Sequence, residues 1–454
     1  MARAAGKGVP LIRIGSGAGF AGDRLEPAVV LAERGDIRYL GLECLAERTI
    51  ALAQLRRLKD PEEGYDPMLL RRMELLLPVI KRRGVRVISN MGAANPVAAA
   101  EAVLGVARRR GIALKVAAVT GDDVLQMLRP EDTILETGGK VGDYRWLVSA
   151  NAYLGADALL PALASGADVI LTGRVADPSL FLAPAAHELG WDPADAQRMA
   201  AGTVMGHLLE CAGQVTGGYF ADPGVKDVPD FAHLGFPWAE IGADGRFVLG
   251  KPERTGGRID LMTVREQLLY EVTDPRAYVT PDVVADFTTV RIAQAAPDRV
   301  AVSGASGRAR PATLKASIGY HAGYVGEGEI GYAGPNALAR AQLAGETVRE
   351  RLAGEFRELR IDLIGCDSLH GKAYRMAAEP YEVRLRVAGR ATLREKAELI
   401  GEEVEALWTN GPGGGGGARK TVREQVGVIS TLIERERVRP ALTIRETRGE
   451  KALV

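Results

Sequence analysis

The residues best suited to chemistry follow short apolar runs. Leu11–Ile14 leads into Gly-Ser-Gly-Ala-Gly-Phe-Ala-Gly-Asp-Arg, residues 15–24. Glycines let backbone N–H groups approach an anion, and a helix N-terminus beyond them favours negative charge. Gly15, Ser16, Gly17, Gly19 and Gly22 are the candidate ligand-binding positions, and Gly17, Gly19 and Gly22 fit GxGxxG. Glu43 follows at about the spacing of a ribose-binding acid, which admits a nicotinamide dinucleotide. Asp23 would repel a pyrophosphate, which leaves a different anionic or acyl ligand, or a purely structural turn, as alternatives.

Four more strand ends carry candidates. Glu43 opens Glu-Cys-Leu-Ala-Glu, where a partly desolvated carboxylate suits a general base. The plainer role is a carboxylate at a helix N-terminus. Cys44 as a nucleophile lacks a neighbouring base. Asn90 offers both donor and acceptor, Gly92 permits close backbone approach, and Asn95 reads as the N-cap of a helix begun by Pro96. Asp122 and Asp123 present oxygen ligands of the kind a divalent cation takes, although Asp123 is equally a helix cap and no metal site is expected. Gly173 precedes Arg174, which clamps a carboxylate or phosphate or else pairs with Asp177 or Glu43. His207 and Glu210 share a helix face at i, i+3, but the five histidines are dispersed and no HExxH occurs. Near the C-terminus, Gly413–Gly417 is followed by Arg419 and Lys420, either a floppy linker or a mobile anion-binding flap.

Elements that position these residues alternate regularly. Strands are predicted at 11–14, 37–42, 85–88, 114–119 and 169–171, with helices at 27–34, 48–58, 67–82, 96–110 and 150–164. That alternation predicts an α/β fold whose N-terminal part is a Rossmann-like parallel sheet with flanking helices. Ligands of such sheets sit at the carboxyl ends of the strands, where the candidates fall. A Pro- and Gly-rich stretch suggests a boundary near residue 235, giving domains 1–235 and 236–454. The second half reads as strand 312–319, helix 336–352, strand 359–364, strand 381–387, helix 391–408 and strand 425–433. This order predicts a C-terminal α+β domain of the ferredoxin-like, split βαβ kind.

Composition excludes several classes. Lys+Arg and Asp+Glu both number 58 in 454 residues, so the basic surplus of a nucleic-acid coat is absent. A polybasic membrane-surface protein is equally disfavoured. No apolar run reaches the roughly 20 residues that span a bilayer, and MARAAGKGVPLIRIG lacks a secretory apolar stretch. Cys44, Cys211 and Cys366 stand alone, which suits a reducing cytoplasm. The expectation is a cytoplasmic protein with a small anionic substrate, no nucleic-acid or membrane partner, and a composition compatible with a homo-oligomer.

Taken together and in order, GSGAGFAGDR, ECLAERT, NMGAANP, VTGDD, LTGRVADPS and GPGGGGGARK resemble the acyclic terpene utilisation protein A (AtuA) family, over about residues 10 to 435. The resemblance implies catabolism of branched acyclic terpenoids such as citronellol and geraniol, which runs through CoA thioesters. It suggests lyase or hydratase chemistry on a branched hydroxyacyl-CoA and brings no catalytic residues to carry over. It also implies that longer members carry an added small C-terminal domain, before which this sequence is expected to stop.

Three functions are therefore carried forward. The first is an enzyme of branched acyl-CoA or organic-acid catabolism, with Glu43 as general base and Asp23 or Asp122 as alternatives. Asn90 would orient a carbonyl, Arg174 would hold a carboxylate, and Gly15–Gly22 would face phosphate or thioester oxygen. The second is an NAD(P)-dependent oxidoreductase. The third is a non-catalytic accessory subunit of a catabolic complex, with the glycine loops as interface turns.

Overall fold

The computed structural model describes residues 11–371 and 379–448. Two compact units divide the chain: one runs to Gly319 and resumes at Val428, and the other is Tyr320–Gly427. Residue 235, where composition suggested a boundary, lies inside the first unit.

The first unit begins β1 (Leu11–Ala18), α1 (Glu26–Arg34), β2 (Tyr39–Leu42), α2 (Glu47–Lys59), α3 (Leu69–Arg83), β3 (Arg86–Ser89), α4 (Pro96–Arg109) and β4 (Leu114–Thr120). Next come β5 (Leu147–Ala152), α5 (Leu160–Ala164), β6 (Val169–Thr172), α6 (Ser179–Leu189) and α7 (Ala196–Glu210). β1, β2, β3, β6 and β4 lie side by side and parallel. Every residue of β2 and β6 is buried, which is why these strands read as unbroken apolar runs. Pro27 and Pro96 sit in first turns, and Arg and Lys close α3 and α4 where the helix dipole favours cations.

Antiparallel strands extend this sheet on both sides. β7 (Trp238–Gly242) and β8 (Phe247–Gly250) precede α8 (Leu261–Leu269), β9 (Tyr278–Val279) and β10 (Val284–Asp286). β11 (Arg291–Ala296), β12 (Arg299–Ser303) and β13 (Ser306–Arg308) follow. β7 pairs with β1, and β8, β12 and β11 continue outward from it, while β13, β10 and β9 form a small separate sheet. The result is a mixed parallel and antiparallel sheet, larger than the parallel core the sequence suggested.

One predicted helix is corrected. The helix expected at 150–164 begins inside β5, which holds residues 150–152, and within that range only Leu160–Ala164 is α-helical. The small residues of Leu-Val-Ser-Ala-Asn-Ala suit either state, and pairing with a later strand decides the outcome.

β14 (Thr313–Ala333) enters the second unit, which continues α9 (Ala337–Arg351), β15 (Leu359–Ile364), β16 (Glu382–Ala391), α10 (Arg394–Asn410) and β17 (Gly416–Glu434). Its strand order is β15-β16-β14-β17, with β16 antiparallel to both neighbours. Ile330, Leu385, Val348 and Val404 meet in a core of their own. The chain then returns to the first unit, where β18 (Ala441–Thr447) closes the main sheet against β4. No described helix is long and apolar enough to cross a membrane.

Candidate active site

A cleft of about 640 Å³ opens at the carboxyl ends of β1, β2 and β6, walled on one side by the end of α7. Glu43 enters it directly after β2. Its Oε1 accepts from the Leu45 N–H at 2.9 Å and from Asn90 Nδ2 at 3.0 Å. Asn90 in turn accepts from the Cys44 N–H at 2.8 Å, so the end of β3 fixes the carboxyl that follows β2. Burial and the charge of Asp177 raise Glu43 well above the ordinary carboxylate range, with Arg174 and the two hydrogen bonds pulling the other way.

Arg174, completely buried after β6, organises the opposite wall. Its guanidinium pairs with Asp177 and donates to the Leu45 and Val175 carbonyls. Four of its five N–H donors are thereby spent on the protein. The same group lies 4.7 Å over the Tyr153 ring, and the Tyr153 hydroxyl donates to Glu47 at 2.5 Å. Burial opposes ionisation of Glu47, but the Tyr153 hydrogen bond, Lys315 and Arg174 outweigh it and hold this carboxyl down at about 2.

Glu210, the last residue of α7, is the second buried acid of the cleft. Its Oε1 lies 3.0 Å from His207 Nδ1, and His207 Nε2 lies 2.9 Å from the Gln267 carbonyl. A carbonyl only accepts, so Nε2 carries a hydrogen and the neutral ring presents a bare Nδ1 to Glu210. Burial drives His207 down to about 4 and raises Glu210 well above its ordinary value. The shared proton therefore rests on Glu210, which donates it to His207. Glu210 Oε2 is buried without a hydrogen-bond partner. Both nearby thiols, Cys44 and Cys211, are pushed up by burial and are neutral.

The family model described as acyclic terpene utilisation family protein AtuA matches residues 12–444. The chain belongs to the AtuA family. No curated protein and no solved structure matches it.

The structure of this AtuA-family chain separates the sequence candidates. Glu43, Arg174, Asp23 and Gly19 line the cleft. Asn90 lies behind Glu43, and Asp122 is locked behind Arg174, accepting from the Arg174 N–H at 2.8 Å and Asn151 Nδ2 at 2.9 Å. Burial raises Asp122 to about 6. Gly173 makes room for that carboxylate, and Gly92 packs on the Thr172 carbonyl.

Gly15, Ser16 and Gly17 are not in a loop: they lie within β1, where the two glycines abut Leu31 and Leu42. Gly22 faces the Phe20 ring. The Gly19 amide is occupied by Asp23 Oδ2 at 2.6 Å, so the loop's own carboxylate sits where an anion would bind. A Cβ on Gly19 would lie 2.4 Å from the Cys211 carbonyl carbon, so only glycine lets this loop touch the end of α7. Arg419 is an exposed residue of β17 in the second unit. The run at Gly413–Gly417 leads into β17, and Arg340 donates to the Gly413 carbonyl at 2.7 Å. Among the described residues, no group of three or more His, Cys, Asp or Glu could hold a metal ion.

Sequence reasoning undervalued Glu210 and His207 and missed Tyr153. The i, i+3 spacing was visible, but the carbonyl that fixes the tautomer comes from Gln267, sixty residues downstream.

Proposed function

We propose that the cleft is an acid–base active site that removes or adds water, or cleaves a carbon–carbon bond, next to the carbonyl of a branched acyl substrate. The observation that carries this reading is a pair of buried carboxyl groups in one cleft, Glu43 held by two N–H donors and Glu210 holding a proton against His207. In the dehydrating direction, Glu43 as carboxylate takes the proton from the carbon beside the carbonyl. Glu210 gives its proton to the departing hydroxyl, and water leaves. Solvent exchange returns a proton from Glu43 to Glu210. Arg174 supplies positive charge beside Glu43 and one Nη1 hydrogen, and Asn90 orients the base.

AtuA membership ties the chain to acyclic terpene utilisation. A second pocket of about 330 Å³, sharing Asp177 with the cleft, is walled by Val279, Pro281, Leu314 and Leu432 and suits a branched apolar chain. The substrate class we favour is therefore a branched acid or its CoA thioester. Asp23 on the Gly19 amide argues against a dinucleotide phosphate there. We read the parallel core as Rossmann-like and the second unit as ferredoxin-like, supported by its β-α-β-β-α-β order. The free cysteines support a cytoplasmic setting.

The test is exchange of the substrate's α-hydrogen with D2O, followed by mass spectrometry on branched 3-hydroxyacyl and enoyl thioesters. Wild type should exchange, and Glu43→Gln should lose exchange by about 10²-fold or more while remaining folded. Full exchange in the variant removes Glu43 from the mechanism. A flat result across the thioester series overturns the acyl reading in favour of an accessory role.

A further inference from the structure

At the other end of β1 lies a second built pocket, of about 330 Å³, that plays no part in the chemistry above. Arg13 of β1, Arg34 at the end of α1, Lys251 and Arg254 after β8, and Arg299 at the start of β12 all line it, against a single acidic wall residue, Glu253. About six residues of extended strand, roughly 20 Å, separate Arg13 from Gly19 at the cleft.

Two of the five cations have local partners. Arg13 donates to Glu240 at 2.7 Å and to the Gly35 carbonyl at 3.0 Å. Lys251, whose side chain is 5% exposed, donates to the Thr255 carbonyl at 2.9 Å and pairs with Asp298 at 3.1 Å. The other three differ. Arg34 and Arg254 are exposed and form no ion pair with another described residue.

Arg299 has its guanidinium 4.2 Å over the Trp238 ring, where Arg13 also lies at 4.2 Å. Its Nη1 is buried without a hydrogen-bond partner, pressed against Gly250, where a Cβ would stand 2.0 Å away. Burial and the like charge of Arg13 hold Arg299 below the usual guanidinium range. Glu240 and Asp298 are engaged by Arg13 and Lys251, so the five cations share few carboxylates here, and an anion in the pocket would ease their mutual repulsion.

We propose that this pocket binds a phosphate-bearing anion, with Arg299, Arg34 and Arg254 as its ligands and Arg13 and Lys251 as fixed positive charge behind them. Guanidinium groups suit phosphate because their forked donors match its oxygens. The volume admits pyrophosphate or the diphosphate of a nucleotide. The phosphate is the recognised chemistry, and Trp238, covered by two guanidiniums, offers no free face for a base.

Calorimetric titration of the full chain with inorganic pyrophosphate and, separately, ADP tests this at constant ionic strength. Pyrophosphate should bind, and Arg299→Met should weaken it by about tenfold or more, the effect of one lost charge-assisted contact. The exposed double variant Arg34→Ala/Arg254→Ala covers the case in which Arg299→Met fails to fold, and it should show a similar loss. Glu43→Gln should bind as wild type. Affinity for ADP equal to that for pyrophosphate assigns the phosphates alone, and tighter ADP binding assigns a nucleotide. Equal heats from matched sodium acetate, unchanged pyrophosphate affinity in the arginine variants, or loss confined to Glu43→Gln would each overturn the proposal.

Discussion

Replacing Glu210 by glutamine isolates the proton that this site stores. The amide N–H of Gln donates to the same His207 Nδ1 that Glu210 faces at 3.0 Å, so the packing of α7 is preserved. Glutamine differs in one respect, since it cannot ionise. Burial, then the charges of Asp177 and Glu271, raise Glu210 well above 4.5, and only Arg174 opposes them. Above 4.5 the unfolded chain releases a proton that the folded chain keeps. Stability from this group is thus full below that value and falls as pH rises, by about 1.4 kcal/mol per unit while Glu210 stays protonated. His207 acts oppositely: held at about 4, it costs stability as pH falls below 6.5, so the measurement belongs above that value.

Between about pH 6.5 and about pH 8.5, wild type should lose up to about 2.7 kcal/mol that Glu210→Gln retains. Glu43 contributes a similar loss to both proteins, and it cancels in the difference. Urea denaturation followed by tryptophan fluorescence at the two pH values measures this directly. Parallel pH dependence in the two proteins would refute the argument, because it would mean that the folded Glu210–His207 pair keeps no proton that the unfolded chain releases. Turnover should fall sharply in Glu210→Gln while stability does not, which separates proton donation from packing.

Two further outcomes follow from the same geometry. Gly19→Ala places a Cβ 2.4 Å from the Cys211 carbonyl carbon, so thermal or urea unfolding should show a loss of about 1–3 kcal/mol from overpacking. Asn90→Ala leaves the buried Cys44 N–H without its acceptor, costing about 1–3 kcal/mol in urea unfolding, and strips one donor from Glu43. The rising limb of kcat/KM against pH should then move to higher pH, and an unmoved limb would detach Glu43 from it.

Much of the first unit was legible because parallel strands buried on both faces write themselves as apolar runs ending in polar residues. Glu43, Asn90 and Arg174 were found that way, each one or two residues beyond a strand. The second unit was legible for a similar reason: 359–364 is strand from end to end, and α9 and α10 keep clear helical periodicity. What stayed hidden depends on distant partners. The antiparallel extension of the sheet rests on pairings such as Leu11 with Gly242 and Thr447 with Leu114. Gly15 and Gly17 looked like a ligand loop because close packing and close ligand approach both demand a missing side chain, and only the neighbours Leu31 and Leu42 tell them apart. The loop's apparent anion site is filled by Asp23, four residues from the amide it caps.

Glu43 and Glu210 are both pushed toward the protonated form by burial, yet their surroundings divide the work between them. Glu43 has two N–H donors as well as Arg174, and each of these stabilises the ionised form. Glu210 has only the field of Arg174, a partner nitrogen that accepts, and an Oε2 with no donor at all. Ionising Glu43 therefore costs less than ionising Glu210, and one negative charge in the cleft makes the second harder still. A site that must remove a proton with one carboxyl and supply one with another needs that inequality before substrate arrives. Here it comes from backbone and side-chain donors, with Asn90 at the end of β3 and the Gln267 carbonyl setting the two environments.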